Sequence, residues 1–292
     1  MFKGSIVAIV TPFSKKGDVD ESTLIKLVEF HVKNGTDGIV PCGTTGESAT
    51  LNYEEHERVI EICIKASDNR VPIIAGTGSN STQEAIEMSL YAKKAGADGL
   101  LLVSPYYNRP TQKGLYLHFK AIADKVDLPI ILYNIASRTG VNIEPETIAK
   151  LATDCKNIIA VKEASGSLDQ MSRIIALCGS KITMLSGDDS LTLPLMAIGG
   201  EGIISVVANI IPKDVKAMVS AFSEGDLRLA QRLHFKMLPL IKAVFIETNP
   251  IPVKTAMGLM GLCEPSLRLP MCEMMPENLA KLKIAMKEYG LL

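Results

Sequence analysis

The chain has 292 residues, 47% of them apolar and 22% charged, which is material for a large core and excludes a disordered or fibrous protein. Thirty-one Lys and Arg stand against 32 Asp and Glu, a net charge of -1, so no basic surplus is available for nucleic acid. The length admits two average domains or one α/β barrel with an appendage.

Ile6 to Thr11 predicts a strand, and the six-residue run Ser5 to Val10, closed by Thr11-Pro12, is too short for the core of a signal peptide. Further β-rich runs predict strands at Gly38 to Pro41, Val71 to Gly76, Gly99 to Ser104, Leu128 to Asn134, Asn157 to Glu163, Ile182 to Gly187 and Gly202 to Val206. Their starts recur roughly every 20 to 33 residues, close to the span of a βαβ unit. GLLLV (99–103) and NIIAV (157–161) are apolar throughout, as parallel strands buried on both faces must be. Between the strands, Asn52 with Glu55 and Ser81 with Glu84 have capping-box spacing, and Pro145 suits a first helical turn. Asn34-Gly35 and Ala95-Gly96 read as helix stops.

Eight alternating units predict the α/β class and a (β/α)8 TIM barrel over residues 1–225, with an open doubly wound sheet as the rival. Residues 226–292, punctuated by prolines at 239, 250, 252, 265, 270 and 276, predict a C-terminal helical extension packed on the barrel. No run approaches the roughly 20 apolar residues of a membrane span, so the expectation is a cytoplasmic protein with no membrane or nucleic-acid partner.

Such barrels build their active sites where the strands end, and here those ends are polar. Lys162 closes strand six after Ile158-Ile159-Ala160-Val161, and strict alternation puts it on the face of Ile158 and Ala160. An amine at an apolar barrel mouth loses hydration, which favours the neutral, nucleophilic form; elsewhere such a lysine simply snorkels to water. A phenol is well suited to move protons between carbinolamine and imine, and Tyr133 ends the neighbouring strand. Thr44 and Tyr107 end two others and complete a candidate hydroxyl relay. The glycine-bracketed Thr44-Thr45 pair offers hydroxyls and backbone N–H groups to a small carboxylate, and the planar fork of Arg138 offers a second anion site.

Other motifs are weaker. Gly76-Thr77-Gly78-Ser79-Asn80-Ser81 lacks the third glycine of a dinucleotide fingerprint, and glycines 199, 200 and 202 suit a tight turn as well as a phosphate pocket. Six cysteines (42, 63, 155, 178, 263, 272) never form a C-x-x-C pair and four histidines (31, 56, 118, 234) show no zinc spacing. The expectation is reduced core thiols and no metal.

GTTGES (43–48), SPYYNRP (104–110), YNIASRTG (133–140), VKEASG (161–166), LSGDD (185–189) and NPIPVK (249–254) occur in order over nearly the whole chain. In this the sequence resembles the dihydrodipicolinate synthase family of pyruvate-dependent class I aldolases. The resemblance implies a lyase that condenses pyruvate with L-aspartate 4-semialdehyde on the way to lysine and diaminopimelate, with a covalent pyruvate imine in place of any cofactor. By position, Lys162 forms the imine, Tyr133 donates and accepts the proton, and Thr44 and Tyr107 are its relay. Thr45 holds the pyruvate carboxylate, Arg138 that of the aldehyde, and backbone groups of Gly187 and Ile204 line the pocket. The family's Tyr107 reaches across a dimer interface, implying a homotetramer built as a dimer of dimers.

Lysine feedback, found in some members, maps to Ser48, Ala49, His56, Asn80, Glu84 and Tyr106. The chain departs from the family at Ala136, usually proline, and at Tyr53, often histidine. Two alternatives stand beside the synthase reading: a sugar-acid aldolase such as N-acetylneuraminate lyase, and a barrel that binds an amino acid without turnover.

Overall fold

The computed structural model describes residues 2–292. Strands and helices alternate from the start: β1 (Gly4–Ala8), α1 (Glu21–Lys33), β2 (Gly38–Val40), α2 (Tyr53–Ser67), β3 (Ile74–Gly76), α3 (Thr82–Ala95), β4 (Gly99–Val103) and α4 (Gln112–Lys125). β5 (Ile130–Asn134) is followed by the short α5 (Ala136–Thr139) and by α6 (Pro145–Asp154); then come β6 (Ile158–Glu163), α7 (Leu168–Cys178), β7 (Thr183–Ser186), α8 (Thr192–Ala197), β8 (Gly202–Ser205) and α9 (Pro212–Ser223). Three helices complete the chain, α10 (Leu227–Val244), α11 (Ile251–Leu259) and α12 (Pro276–Tyr289).

All strand pairs are parallel, in the order β2-β1-β8-β7-β6-β5-β4-β3. A bridge between Ile39 and Ile73, with the Ile39 amide donating to the Pro72 carbonyl and the Gly76 amide to the Pro41 carbonyl (each 3.0 Å), joins the two ends into a barrel. The eight-unit reading therefore holds and the open-sheet rival fails. The ladders are uneven: five paired positions between β5 and β6, four between β6 and β7, but one between β7 and β8.

Alternate residues divide into two cores, as period-two geometry requires. Ile6, Val40, Ile74, Leu101, Ile131, Ala160 and Leu185 fill the barrel interior, while Val7, Ile39, Leu100, Leu132 and Val161 pack beneath the helices. Helices α10, α11 and α12 add Met237, Leu240, Val253, Met257, Leu282 and Met286 to the outer core. Strict alternation breaks once: Ile130 pairs with Ile158 but Ile131 with Ala160, so Ile159 is skipped. Ile158 consequently packs in the outer core and does not share the interior face of Ala160, contrary to the sequence expectation.

The caps form largely as spaced. Asn52 and Glu55 make a reciprocal capping box, and Pro145 opens α6. Ser81 caps α3, but Glu84 accepts from the Ser79 hydroxyl (2.8 Å) instead of returning to the cap. The Gly76-to-Ser81 motif has a packing explanation: a Cβ on Gly76 would lie 2.3 Å from the Cys42 carbonyl oxygen. Of the six cysteines, 42, 63, 155 and 178 are buried thiols, whereas Cys263 is half-buried and Cys272 exposed, which corrects the all-core expectation. No helix among the described residues is long and apolar enough to cross a membrane.

Candidate active site

Register brings the central pair together. Tyr133 on β5 lies opposite Lys162 on β6, and Asn134 lies opposite Glu163. Tyr133 turns into the barrel interior, where Lys162 is 4% exposed with its Nζ 4.2 Å from the centroid of the Tyr133 ring. The π face offsets part of the cost of any positive charge held there. Gly187 gives the lysine its room: a Cβ at that position would stand 3.1 Å from Lys162 Cε and 2.7 Å from Ala164 Cβ. Ile204 on β8 lines the same interior.

The next residues along both strands point outward and lock. The buried Glu163 carboxylate accepts from Asn134 Nδ2 (3.0 Å), Gln170 Nε2 (3.1 Å) and the Ser165 amide (2.7 Å). Asn134 Oδ1 accepts from the Ile143 amide at 3.0 Å. Fully satisfied buried networks of this kind fix geometry, here that of the strand ends carrying Lys162 and Tyr133.

The turn after β2 is held by its own amides: Gly46 and Glu47 donate to the carbonyls of Gly43 and Thr44, each at 3.1 Å, and Ser48 donates to Gly43 at 3.4 Å. The anion cradle expected of this loop therefore contracts to Thr44 and Thr45. Thr45 is buried, and its Oγ1 accepts from Asn249 Nδ2 at 3.0 Å. Arg138, on α5, donates from Nη2 to the Asn249 carbonyl at 2.9 Å. Asn249 thus touches both candidate carboxylate sites.

Tyr107 departs from this gathering. Its φ is +73° and its side chain is 91% exposed, so the three-hydroxyl relay is not assembled inside one chain.

A cavity of about 700 Å³ opens above the barrel, lined by Thr44, Ile135, Arg138 and Asn249 at one end. Ser48, Ala49, His56, Glu84 and Tyr106 line the other end, so five of the six positions expected to bind an effector share one space with the substrate side. The sixth, Asn80, acts from behind, donating from Nδ2 to the Tyr106 carbonyl at 3.1 Å. Lys162, Tyr133, Thr45, Gly187 and Ile204 are not in its walls; all but the half-buried Gly187 lie buried in the barrel mouth. Burial lowers His56 to about 4, leaving it neutral at ordinary pH. Burial and the neighbouring Glu84 carboxylate raise the Tyr53 phenol, placing Tyr53 beside the acid at this end of the cavity.

The sequence reading left Asn249, Glu163, Asp189, Glu47 and Lys254 without roles. Asp189 is buried and accepts from Ser205 Oγ and from the Val206 (3.0 Å) and Val207 (3.3 Å) amides, tying the end of β7 to that of β8. Burial raises it to about 6 against those hydrogen bonds. The available signal was a polar side chain within a few residues of the end of an apolar run, which marks Glu163 and Asp189 but not Asn249.

A parallel eight-stranded barrel with a buried lysine and tyrosine paired across adjacent strand ends has the architecture of the imine-forming aldolases. The chain matches the dihydrodipicolinate synthetase family over residues 1–289 and belongs to it. It is 62% identical over 292 residues to the 4-hydroxy-tetrahydrodipicolinate synthase of Geotalea uraniireducens (strain Rf4), covering all of both chains. Dihydrodipicolinate synthase from Aquifex aeolicus superposes with a TM-score of 0.98 at 54% identity over 99% of each chain. The chloride-inhibited Acinetobacter baumannii enzyme, complexed with pyruvate, has a TM-score of 0.98 at 46% identity over 100% of each.

Proposed function

We propose that this protein is a 4-hydroxy-tetrahydrodipicolinate synthase, condensing pyruvate with L-aspartate 4-semialdehyde through an imine on Lys162. The carrying observation is the buried Lys162 amine held 4.2 Å from the Tyr133 ring centroid. The full-length relatives bearing that name and the pyruvate complex of the Acinetobacter enzyme support it.

The Lys162 amine attacks the pyruvate ketone, and the carbinolamine loses water once its hydroxyl is protonated. Tyr133 supplies that proton and recovers one from the methyl carbon, giving the enamine. The enamine carbon attacks the aldehyde, whose oxygen takes up a proton, and the product's own amine then displaces Lys162 as the ring closes. Thr44 passes protons to Tyr133, and Tyr107 completes the relay from a second copy, which accounts for its outward pose. Thr45 with the Thr44-Thr45 amides holds the pyruvate carboxylate, Gly187 and Ile204 bound the same pocket, and Arg138 holds the carboxylate of the aldehyde. No metal or organic cofactor takes part.

The same reading makes the protein a cytoplasmic homotetramer, a dimer of dimers, in which residues 226–292 form a helical extension of the 1–225 barrel. Lysine would occupy the cavity end bounded by Ser48, Ala49, His56, Glu84 and Tyr106, with Asn80 behind, its ammonium facing the Glu84 carboxylate.

Borohydride reduction in the presence of pyruvate, followed by peptide mapping, tests the chemistry. One reduced pyruvate on Lys162, and none on a Lys162→Met variant, is the expected result; an unmodified Lys162 overturns the reading. Turnover of aspartate semialdehyde but not of sialic acid separates the synthase from the sugar-acid aldolases.

A further inference from the structure

Glu47 stands two residues beyond Thr45, in a left-handed conformation (φ +53°) that costs a residue with a Cβ about 1 kcal/mol or more. Its side chain is 2% exposed and that of Lys254 0%, with Lys254 Nζ 2.6 Å from Glu47 Oε1. The Arg268 amide donates to the other oxygen at 3.1 Å. Phe13 lies beneath, with Lys254 Nζ 4.0 Å and the Arg268 guanidinium carbon 4.3 Å from its ring centroid. The Arg268 guanidinium in turn binds Thr50 and Gly17 carbonyls and the Glu55 carboxylate.

A buried ion pair is poor evidence of stabilisation, because desolvating two charges offsets most of their attraction and an apolar pair of like volume often serves as well. Its placement gives a better account. Thr45 and Glu47 lie on one short turn, Asn249 just before α11 and Lys254 within it. Two links, Asn249 to Thr45 at 3.0 Å and Lys254 to Glu47 at 2.6 Å, close these four residues into a ring. A turn pinned at two points cannot rotate about either.

We infer that Glu47 and Lys254 are positioning residues: their ion pair clamps the Thr44-Thr45 turn to α11, so that the C-terminal helices set the geometry in which pyruvate is held. The kinetic consequence rests on the aldolase reading above, whereas the clamp itself is a property of the unliganded fold.

The test compares Lys254→Met, Glu47→Gln and the double variant with the wild-type full chain. It reads KM for pyruvate, kcat, Tm and hydrogen exchange at the amides of residues 43–48 without ligand. Each single variant should raise KM for pyruvate about tenfold or more and speed exchange at the turn. The double variant, which leaves no unpaired buried charge, should recover Tm without recovering KM or protection. Wild-type KM and exchange in the folded double variant would overturn the clamp, as would a KM that merely follows Tm across the three. Should a single variant fail to fold, the double variant decides. Should wild-type protein show no pyruvate adduct, the aldolase reading falls and exchange at the turn still decides the clamp.

Discussion

The two ends of the barrel are built on different terms. At the end where the strands begin, Phe2 packs into the interior, and Asp37 accepts from the Ser5 amide (2.7 Å) and pairs with Lys216, both side chains partly in water. Where the strands finish, Lys162, Glu163, Asp189, Glu47 and Lys254 are each no more than 5% exposed. Backbone cost follows the same division. Among the described residues, Cys42, Glu47, Tyr107 and Arg109 hold positive φ in loops at the finishing end, while the remaining non-glycine cases are Asp68 and Asn69, types that tolerate the left-handed region, at the end of α2. Closing a barrel takes apolar packing alone. Buried charge and strained backbone gathered at one end mark the end that is used.

Removing the phenol at the finishing end should have the largest effect. Tyr133→Phe keeps the ring under Lys162, so the fold should persist while kcat falls about 10²- to 10⁴-fold. Steady-state rates with both substrates check this, and a loss under tenfold would strip that end of its catalytic meaning. Gly187→Ala comes next. The added methyl meets Ala164 and Lys162, so stability should drop by about 1–3 kcal/mol in urea titration, with slower borohydride capture of pyruvate.

Asp189 sharpens the contrast through pH. Burial raises it to about 6 in the folded protein from an ordinary value of 3.8, so its favourable contribution is complete below about pH 4 and is lost as pH rises through about 6. The stability of wild type relative to Asp189→Asn should therefore fall by about 2–3 kcal/mol between pH 4 and pH 7, read from urea titrations at each pH. A constant difference would mean that Asp189 is already ionised at the low end. The smallest effect belongs to the opposite end: Lys216→Met should cost under about 1 kcal/mol and leave turnover unchanged, because its pair with Asp37 is partly solvated.

All eight strands were legible in the sequence, because parallel strands buried on both faces leave continuous apolar runs. Their limits were read long at several ends. The third was expected from Val71 and begins at Ile74, since Ile73 makes only an isolated bridge to β2 and Pro72, which has no N–H to donate, only accepts from the Ile39 amide at 3.0 Å. The face of Ile158 was misread because a skipped residue is invisible to a strict period of two. Lys162 and Tyr133 could be found as polar residues ending apolar strands. Asn249 and Lys254 could not, since their partners Thr45 and Glu47 lie 204 and 207 residues away and so distant a pairing leaves no local pattern.

The uneven ladders divide the cylinder into two half-shells, β3 to β7 and β8-β1-β2, meeting along two thinner seams, each with one paired position beside a few further backbone bonds such as Glu201 N–H to the Met184 carbonyl (2.9 Å) and Gly76 N–H to the Pro41 carbonyl (3.0 Å). Lys162 and Tyr133 ride together on the first half-shell, and the strand carrying the threonine turn belongs to the second. At the finishing end the Asp189 side chain stitches β7 to β8, and Asn249 bridges the half-shells, its backbone carbonyl accepting from Arg138 and its side-chain amide donating to Thr45. Nucleophile and proton carrier therefore travel as a rigid unit, and breathing of the cylinder would alter the grip on the substrate's carboxylates before it disturbed the bond-forming pair.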